Sequence, residues 1–378
     1  MTKRRMLMAV YNPIEFDGRV KRACACIAPE FELTLVCLPS ANEYRNDAFR
    51  IERLAPAGGG RIARLVSFWW QIARTARRLR AEVVYVHDFF LPLAGWMAAR
   101  VCGARLIYDA HELIVPVSGV RLTPKERLFY WCEQFTVSKA DLVIAANPER
   151  AEVMRSHYAL EERPTAVRNI PPAPTSRSTD AEVVARFPGL RKDAPSDVHL
   201  VYMGDVCMAR GLRLLVESLE FLPSNYKLVC VGGGPDLPDF RRIEASDPEH
   251  RIRVTGVVPH DQVFDLVRQA DIGVVSYSMS GINNILCAPN KVFEYAQAGL
   301  PMVATCQPTI RAIFDKWKIG ALVGCDGVVT PQEIAKAVQE VGSHRDHYAS
   351  SLVPFLEANT WQREAEVLLS AVRTACAD

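Results

Sequence analysis

Pro289-Asn290-Lys291-Val292-Phe293-Glu294-Tyr295-Ala296-Gln297-Ala298-Gly299-Leu300-Pro301-Met302-Val303-Ala304 reads as a short helix, a turn and a buried strand. Asn290 suits an N-cap, Lys291 to Ala298 can make two turns, Gly299 suits a left-handed closing residue, and Pro301 to Ala304 is apolar enough for a parallel strand. The unpaired N–H groups and positive dipole end of such a helix favour an anion. Lys291 adds a full charge there, and Glu294, one turn in, can accept two hydroxyl hydrogen bonds. A phosphate site beside a diol site is the chemistry of a nucleotide. The same residues also fit an ordinary amphipathic helix with Val292, Phe293 and Ala296 inward and both charges in water.

Outward from this segment, strand-like and helical runs alternate along the chain. Met6 to Tyr11, Glu32 to Leu38, Val83 to His87, Arg105 to Tyr108, Leu142 to Ala145 and Thr165 to Arg168 read as strands of one set. His199 to Met203, Lys227 to Val231, Ile252 to Thr255, Ile272 to Ser276, Met302 to Ala304 and Ala321 to Val323 read as a second. Such alternation predicts parallel sheets covered by helices on both faces. Between the sets, Pro171, Pro172, Pro174, Pro188 and Pro195 sit among Ser, Thr and charged residues, as in a linker. The expected organisation is a Rossmann-like domain over 1–172, a linker over 173–197, a second Rossmann-like domain over 198–355 and a final helical segment over 356–378.

The chain has 378 residues, 49% of them hydrophobic and 23% charged, too many for one ordinary core and consistent with two domains. A formal net charge of +2 gives no general case for nucleic acid. Eleven cysteines without a secretory leader, with Cys24 and Cys26 as the one close pair, predict reduced structural thiols. Met6 to Tyr11 is too short for a signal core, and no apolar run spans a bilayer, so the expected location is cytoplasmic, with peripheral contact at the inner membrane surface as an option.

The alternating sets also carry motifs at their strand ends: Tyr202-Met203-Gly204 with Arg210-Gly211-Leu212, Val231-Gly232-Gly233-Gly234-Pro235, Tyr108-Asp109-Ala110-His111-Glu112-Leu113, and Asp17-Gly18-Arg19-Val20. Together with the PNKxFEYxxxGxP form of the opening segment, and in this order, they resemble retaining glycosyltransferases of the GT-B fold, family-4 type. The likeness covers nearly the whole chain. It implies an α/β protein of two Rossmann-like domains facing each other across a cleft, with a C-terminal helix crossing back to the N-terminal domain.

The resemblance assigns roles. Gly204, Arg210, Gly211, Gly233, Gly281, Asn283, Asn284, Asn290, Lys291 and Glu294 would bind a nucleoside-diphosphate sugar, with Lys291 and Arg210 on the diphosphate and Glu294 on the ribose. His111 would face the reacting sugar. From position alone, Asp88, which ends a strand, can help orient an acceptor hydroxyl, and Asp17 and Arg19, near the first turn, can face the acceptor side. Read without the family, a His after a strand, a triple Gly and a cation at a helix start each also fit purely structural roles.

Two departures from the family pattern stand out: Asp205 follows Gly204 where an Arg is common, and Leu286 stands where a second Glu is common. The polar run Ser280 to Ile285 would then hold the sugar through a loop. No Asp-x-Asp occurs and no His/Asp/Glu group has metal-ligand spacing, so no metal and no cofactor beyond the donor substrate are expected, and the cations would neutralise the leaving diphosphate.

The expected activity is transfer of a hexose-type sugar to a hydroxyl of a lipid-linked or polysaccharide acceptor, with retention, in cell-surface glycan synthesis. A nucleotide-sugar epimerase of the same fold and a non-catalytic partner subunit are the rival readings. Finally, Arg61, Arg64, Arg74, Arg77, Arg78 and Arg80 flank Phe68, Trp69 and Trp70 in a stretch free of acids. It fits either a helix lying on an anionic membrane or a crossover helix with a basic outer face.

Overall fold

A computed structural model describes residues 3–41, 44–116, 122–174, 179–187 and 191–377. The chain divides into two units, Met1–Asn169 with Trp361–Asp378, and Ile170–Thr360. In the first unit, seven strands run β1 (Arg4–Ala9), β2 (Phe31–Cys37), β3 (Arg50–Arg53), β4 (Val83–His87), β5 (Arg105–Ala110), β6 (Leu142–Ala145) and β7 (Thr165–Ala166). They lie in the order β3-β2-β1-β4-β5-β6-β7, all parallel. In the second, β8 (Val198–Met203), β9 (Tyr226–Val231), β10 (Ile252–Gly256), β11 (Ile272–Val275), β12 (Met302–Thr305) and β13 (Gly320–Val323) lie in the order β10-β9-β8-β11-β12-β13, again all parallel.

Both units are therefore doubly wound Rossmann-like folds, as expected. The cause is visible in the strands: Met6 to Ala9 of β1, all of β4 and all of β11 and β12 are buried, because helices cover both faces and no side of the sheet meets water. Strand order reverses between β1 and β4, and between β8 and β11. At such a point successive connections leave to opposite faces and open a crevice at the carboxyl ends.

Several expectations change. Strand β3 escapes sequence reading because Arg50, Glu52 and Arg53 give it no apolar run; it pairs at the sheet edge with β2, where charge is tolerated. Within the Pro-rich stretch, part of which lies outside the described residues, Asp180–Arg186 is a helix opened by a Thr179/Glu182 capping box, and Val183 and Ile170 join the second unit's core. The helix Leu352–Ala358 also packs in the second unit, through Leu352 and Phe355.

The last helix, Trp361–Ala375, belongs to the first unit. It buries Leu368 and Val372 in that core, its Glu364 pairs with Arg168 at 2.6 Å, and Arg22 lies 5.4 Å from the Trp361 ring centre. The thiol expectation is overturned at one place: Cys306, after β12, and Cys325, after β13, form a disulfide that adjacent strand ends bring together, while the other nine cysteines are free. Among the described residues no helix is long and apolar enough to cross a membrane.

Candidate functional site

Tyr295 fixes the geometry of the second unit's site. Its hydroxyl accepts the Met203 N–H at 2.9 Å and donates to the Val201 carbonyl at 3.1 Å, which pins the helix Asn290–Gln297 to β8. Gly299, at φ +77°, then lets the Leu300 N–H return to the Tyr295 carbonyl at 2.9 Å and the chain turn into β12.

Held this way, Lys291 is 8% exposed rather than solvated. Its ammonium stands 4.2 Å from the Tyr202 ring centre and 5.8 Å from that of Tyr277, and among the described residues it has no hydrogen-bond partner. Burial, then the charge of Arg210, pushes its pKa down to about 7, with Glu294 and Asp205 opposing. A desolvated ammonium without an acceptor is costly to the fold and gains strongly from an anion.

The surrounding glycines are there for space. Gly204 follows β8 at φ +124° directly over Lys291, and a Cβ on Gly232, at φ +140°, would stand 1.9 Å from the Gly204 carbonyl oxygen. The Gly232 to Gly234 turn is thus packed tightly on the end of β8, with the Val206 N–H reaching the Gly233 carbonyl at 2.8 Å. Arg210 ends a 3-10 turn, Met208–Arg210, and lies 3.8 Å from Asp205, the residue that departs from the family pattern. Gly211 follows at φ +77° and opens the helix Leu212–Ser218. Glu294 is half-buried one turn beyond Lys291.

Two sequence readings are corrected here. Asn290 is the first helical residue, preceded by Pro289, and no side chain among the described residues caps the helix. Two of the N–H groups expected to be open are taken, Asn290 by the Ala288 carbonyl at 3.0 Å and Val292 by that of Pro289 at 3.1 Å, so the cation rather than the helix end is the stronger anion feature. The run Ser280 to Ile285 is not a loop but a single helical turn, Ile282–Ile285, entered through Gly281 at φ +78°; it carries Asn283, and the Asn284 amide donates back to the Ser280 carbonyl at 2.9 Å.

In the first unit, β4 and β5 end side by side, with His87 in register with Asp109 and His111 two residues on. Arg19, buried, grips both oxygens of Asp109 at 2.7 and 3.2 Å and donates to the Val167 carbonyl at 2.7 Å. Tyr85 donates to the same carboxylate at 3.1 Å. Burial alone would raise the Asp109 pKa, but the Arg19 charge, with His87 and His111, holds it well below the carboxylate range.

His111 Nε2 lies 3.1 Å from His87 Nδ1, and its side chain is 17% exposed. Burial pushes the His111 pKa down to about 4, with Asp109 opposing and Arg19 and His87 adding, so the ring is neutral near pH 7. Asp88 sits at φ +66°, a strained region for a residue with a side chain, and burial raises its carboxyl to about 7 against the hydrogen bond from the Phe89 N–H at 2.8 Å.

Asp17 and Arg19 are engaged internally. Asp17 caps the helix Gly18–Ile27 by accepting the Val20 N–H at 3.0 Å, and Arg19 is spent on Asp109 rather than turned outward. His87 and Asp109 were missing from the sequence-derived site. Their signal is a polar residue closing each of two neighbouring, otherwise apolar strands. Contrary to the spacing argument, the fold does assemble a His87, Asp109, His111 group whose ligand atoms lie within 4.8 Å of one another. Any cation there would have to share Asp109 with the Arg19 guanidinium.

The helix Arg61–Leu79 splits its aromatics: Phe68 is fully buried, Trp69 donates to the Phe90 carbonyl at 3.0 Å, and Trp70 is 60% exposed. Ile62, Val66 and Trp70, four residues apart, form one exposed stripe. A second stripe, Leu128, Trp131 and Phe135, lies on the helix Pro124–Val137, and both helices pack on Pro92–Cys102.

Comparison with known proteins agrees with this architecture. The family described as Glycosyl transferase 4-like domain matches residues 19–173, and that described as Glycosyl transferases group 1 matches residues 197–344. A D-inositol 3-phosphate glycosyltransferase of Xylanimonas cellulosilytica is 26% identical over 269 residues, 64% of this chain; the match spans only 61% of that protein's length. Among solved structures, sucrose-phosphate synthase from Thermosynechococcus elongatus superposes with a TM-score of 0.76 at 16% identity, covering 98% of this chain and 99% of the other. Anabaena HepE in complex with UDP and glucose superposes with a TM-score of 0.72 at 13% identity, with coverages of 98% and 99%.

Proposed function

This chain belongs to the GT-B glycosyltransferases, and from that premise we propose that it moves a hexose-type sugar from a nucleoside diphosphate to a hydroxyl of a lipid-linked or polysaccharide acceptor, with retention. The observation that carries the reading is the buried ammonium of Lys291 beneath Gly204, without a hydrogen-bond partner among the described residues, with Arg210 close enough to depress its pKa and Glu294 one turn further on. A diphosphate would satisfy Lys291 and draw in Arg210. At about 4 Å and an effective dielectric near 20, each contact is worth on the order of 4 kcal/mol before desolvation. Glu294 would take the ribose hydroxyls. UDP is the first nucleotide to try, because HepE holds it.

Charge developing on the leaving diphosphate falls to these cations, so turnover is expected to survive EDTA. In the first unit His111, neutral and partly exposed, is the group assigned to the reacting sugar, and Asp88 to the acceptor hydroxyl. The exposed stripe Ile62, Val66 and Trp70, with Arg61, Arg64, Arg74 and Arg77 exposed on the same helix, and the second stripe Leu128, Trp131 and Phe135 suit an anionic membrane surface where a lipid-linked acceptor resides. The deciding experiment is a thermal-shift screen with UDP-, GDP-, ADP- and TDP-sugars, followed by slow hydrolysis of whichever binds. Stabilisation by one base series that Lys291→Ala abolishes supports the reading, and no stabilisation by any of them removes it.

A further inference from the structure

We propose that His87 is a positioning residue that decides which nitrogen of His111 is offered to the substrate. The proposal rests on the reading of His111 as the sugar-facing group. His87 closes β4, its ring stacked on Tyr85 at 4.5 Å between centres. Its Nδ1 stands between two acceptor positions, 3.1 Å from His111 Nε2 and 3.4 Å from Asp109 Oδ2. Asp109 is an anion, gripped by Arg19 and by the Tyr85 hydroxyl.

A ring nitrogen facing a carboxylate oxygen avoids repulsion only when it carries the hydrogen. The opposite tautomer of His87 would aim a lone pair at Asp109 and put its hydrogen on Nε2, which is buried and without a hydrogen-bond partner among the described residues. An orphaned buried N–H is the rarer defect; an under-satisfied acceptor is better tolerated. His87 Nδ1 therefore donates, and His111 Nε2 accepts.

With Nε2 committed as an acceptor, a neutral His111 carries its own hydrogen on Nδ1, the one ring nitrogen left for a ligand. His111 thus presents a hydrogen-bond donor to an oxygen of the sugar or phosphate and has no outward lone pair with which to take a proton. Asp109 and Arg19 set the charge, while His87 transmits it as a choice of tautomer.

The test is nitrogen-15 NMR of histidine-labelled protein, with the His111 signals assigned by their loss in His111→Phe, run beside UDP-glucose hydrolysis. Wild type is expected to show His111 with hydrogen on Nδ1. His87→Asn, whose amide nitrogen can stand where Nδ1 stood, should keep that tautomer and most of kcat. His87→Leu should shift His111 toward the other tautomer and lower kcat roughly 10- to 100-fold, the scale of a small misplacement of a reacting group, with KM little changed. Hydrogen on Nε2 in wild type, or a His87→Leu protein that keeps both tautomer and kcat, overturns the proposal. So does zinc added to wild type that shifts both nitrogens of His87 and His111, since the group would then be a metal site. If His87→Leu does not fold, wild type and His87→Asn still decide. If UDP-glucose is not turned over, the donor reading is at fault, and the spectra still test the tautomer.

Discussion

Gly204 and Lys291 occupy one space: a methyl group on Gly204 would stand 3.0 Å from Lys291 Cε and 3.1 Å from its Nζ. The glycine also sits at φ +124°, which a side chain disfavours. Gly204→Ala is therefore expected to cost about 1–3 kcal/mol of stability from backbone strain and to displace the ammonium that receives the nucleotide. Calorimetric titration with UDP and a thermal melt separate the two effects. A variant with unchanged UDP affinity would detach Lys291 from the nucleotide site.

The depressed pKa of Lys291 gives UDP binding a direction with pH. An anion favours the ammonium form, so the bound state has the higher pKa. Below pH 7 the free protein already holds the proton, and affinity is independent of this group. Above pH 7 binding must take up a proton, and affinity falls by up to about tenfold per unit. Titrations near pH 8 in two buffers of different ionisation enthalpy should report uptake of close to one proton. Proton release would reverse the assignment.

How much of this was legible follows from where each signal lies in the chain. The opening segment announced itself because helix, Gly299 turn and strand are contiguous, and local sequence carries local structure. The apolar strands were readable for the same reason, and β3 was not, since an edge strand of Arg and Glu has no pattern of its own. Whether Lys291 faced water or the interior could not be read from the helix, because the answer depends on Tyr295 docking against β8 and on Tyr202 and Tyr277 closing around the ammonium. His87 and Asp109 were hidden likewise: only the register of β4 with β5 makes them neighbours, and it is chiefly Arg19, from another element, with His87 and His111, that keeps the carboxylate ionised. Cys306 and Cys325 meet for the same kind of reason.

Arg19 and Asp109 form a buried ion pair, and losing one partner strands the other. Asp109→Asn and Arg19→Met are each expected to cost about 3–5 kcal/mol, while a double substitution by apolar residues should recover much of that loss. The folded-state pKa of Asp109 lies below its unfolded value of about 3.9. Its contribution is thus fully present above that value and is lost as the pH falls below it, so the wild-type melting temperature should drop more steeply in acid than that of the double variant. Parallel acid profiles would contradict a charged pair.

Glu294 tests the diol. Hydrogen bonds to a charged acceptor are worth about 1.5–3 kcal/mol, so Glu294→Gln should weaken UDP roughly 10- to 150-fold. Inorganic pyrophosphate, which has no ribose, should bind the variant as it binds wild type. Equal losses for both ligands would place Glu294 in a merely structural role beside Lys291.

The exposed stripes separate apolar from electrostatic contributions to membrane contact. Trp70 and Trp131 are 60% and 62% exposed, so replacing both with Ala should leave the melting temperature unchanged while reducing flotation with anionic and neutral liposomes alike. Arg74 and Arg77 are exposed on the same helix as Trp70, and each cation near an anionic surface contributes about 1 kcal/mol. Arg74→Glu with Arg77→Glu should therefore lower flotation with anionic liposomes only, and salt should mimic that loss. If the tryptophan pair changes nothing while the arginine pair abolishes flotation, the contact is purely electrostatic and the apolar stripes need another partner. If neither pair matters, the surface of Ile62, Val66 and Trp70 does not meet lipid.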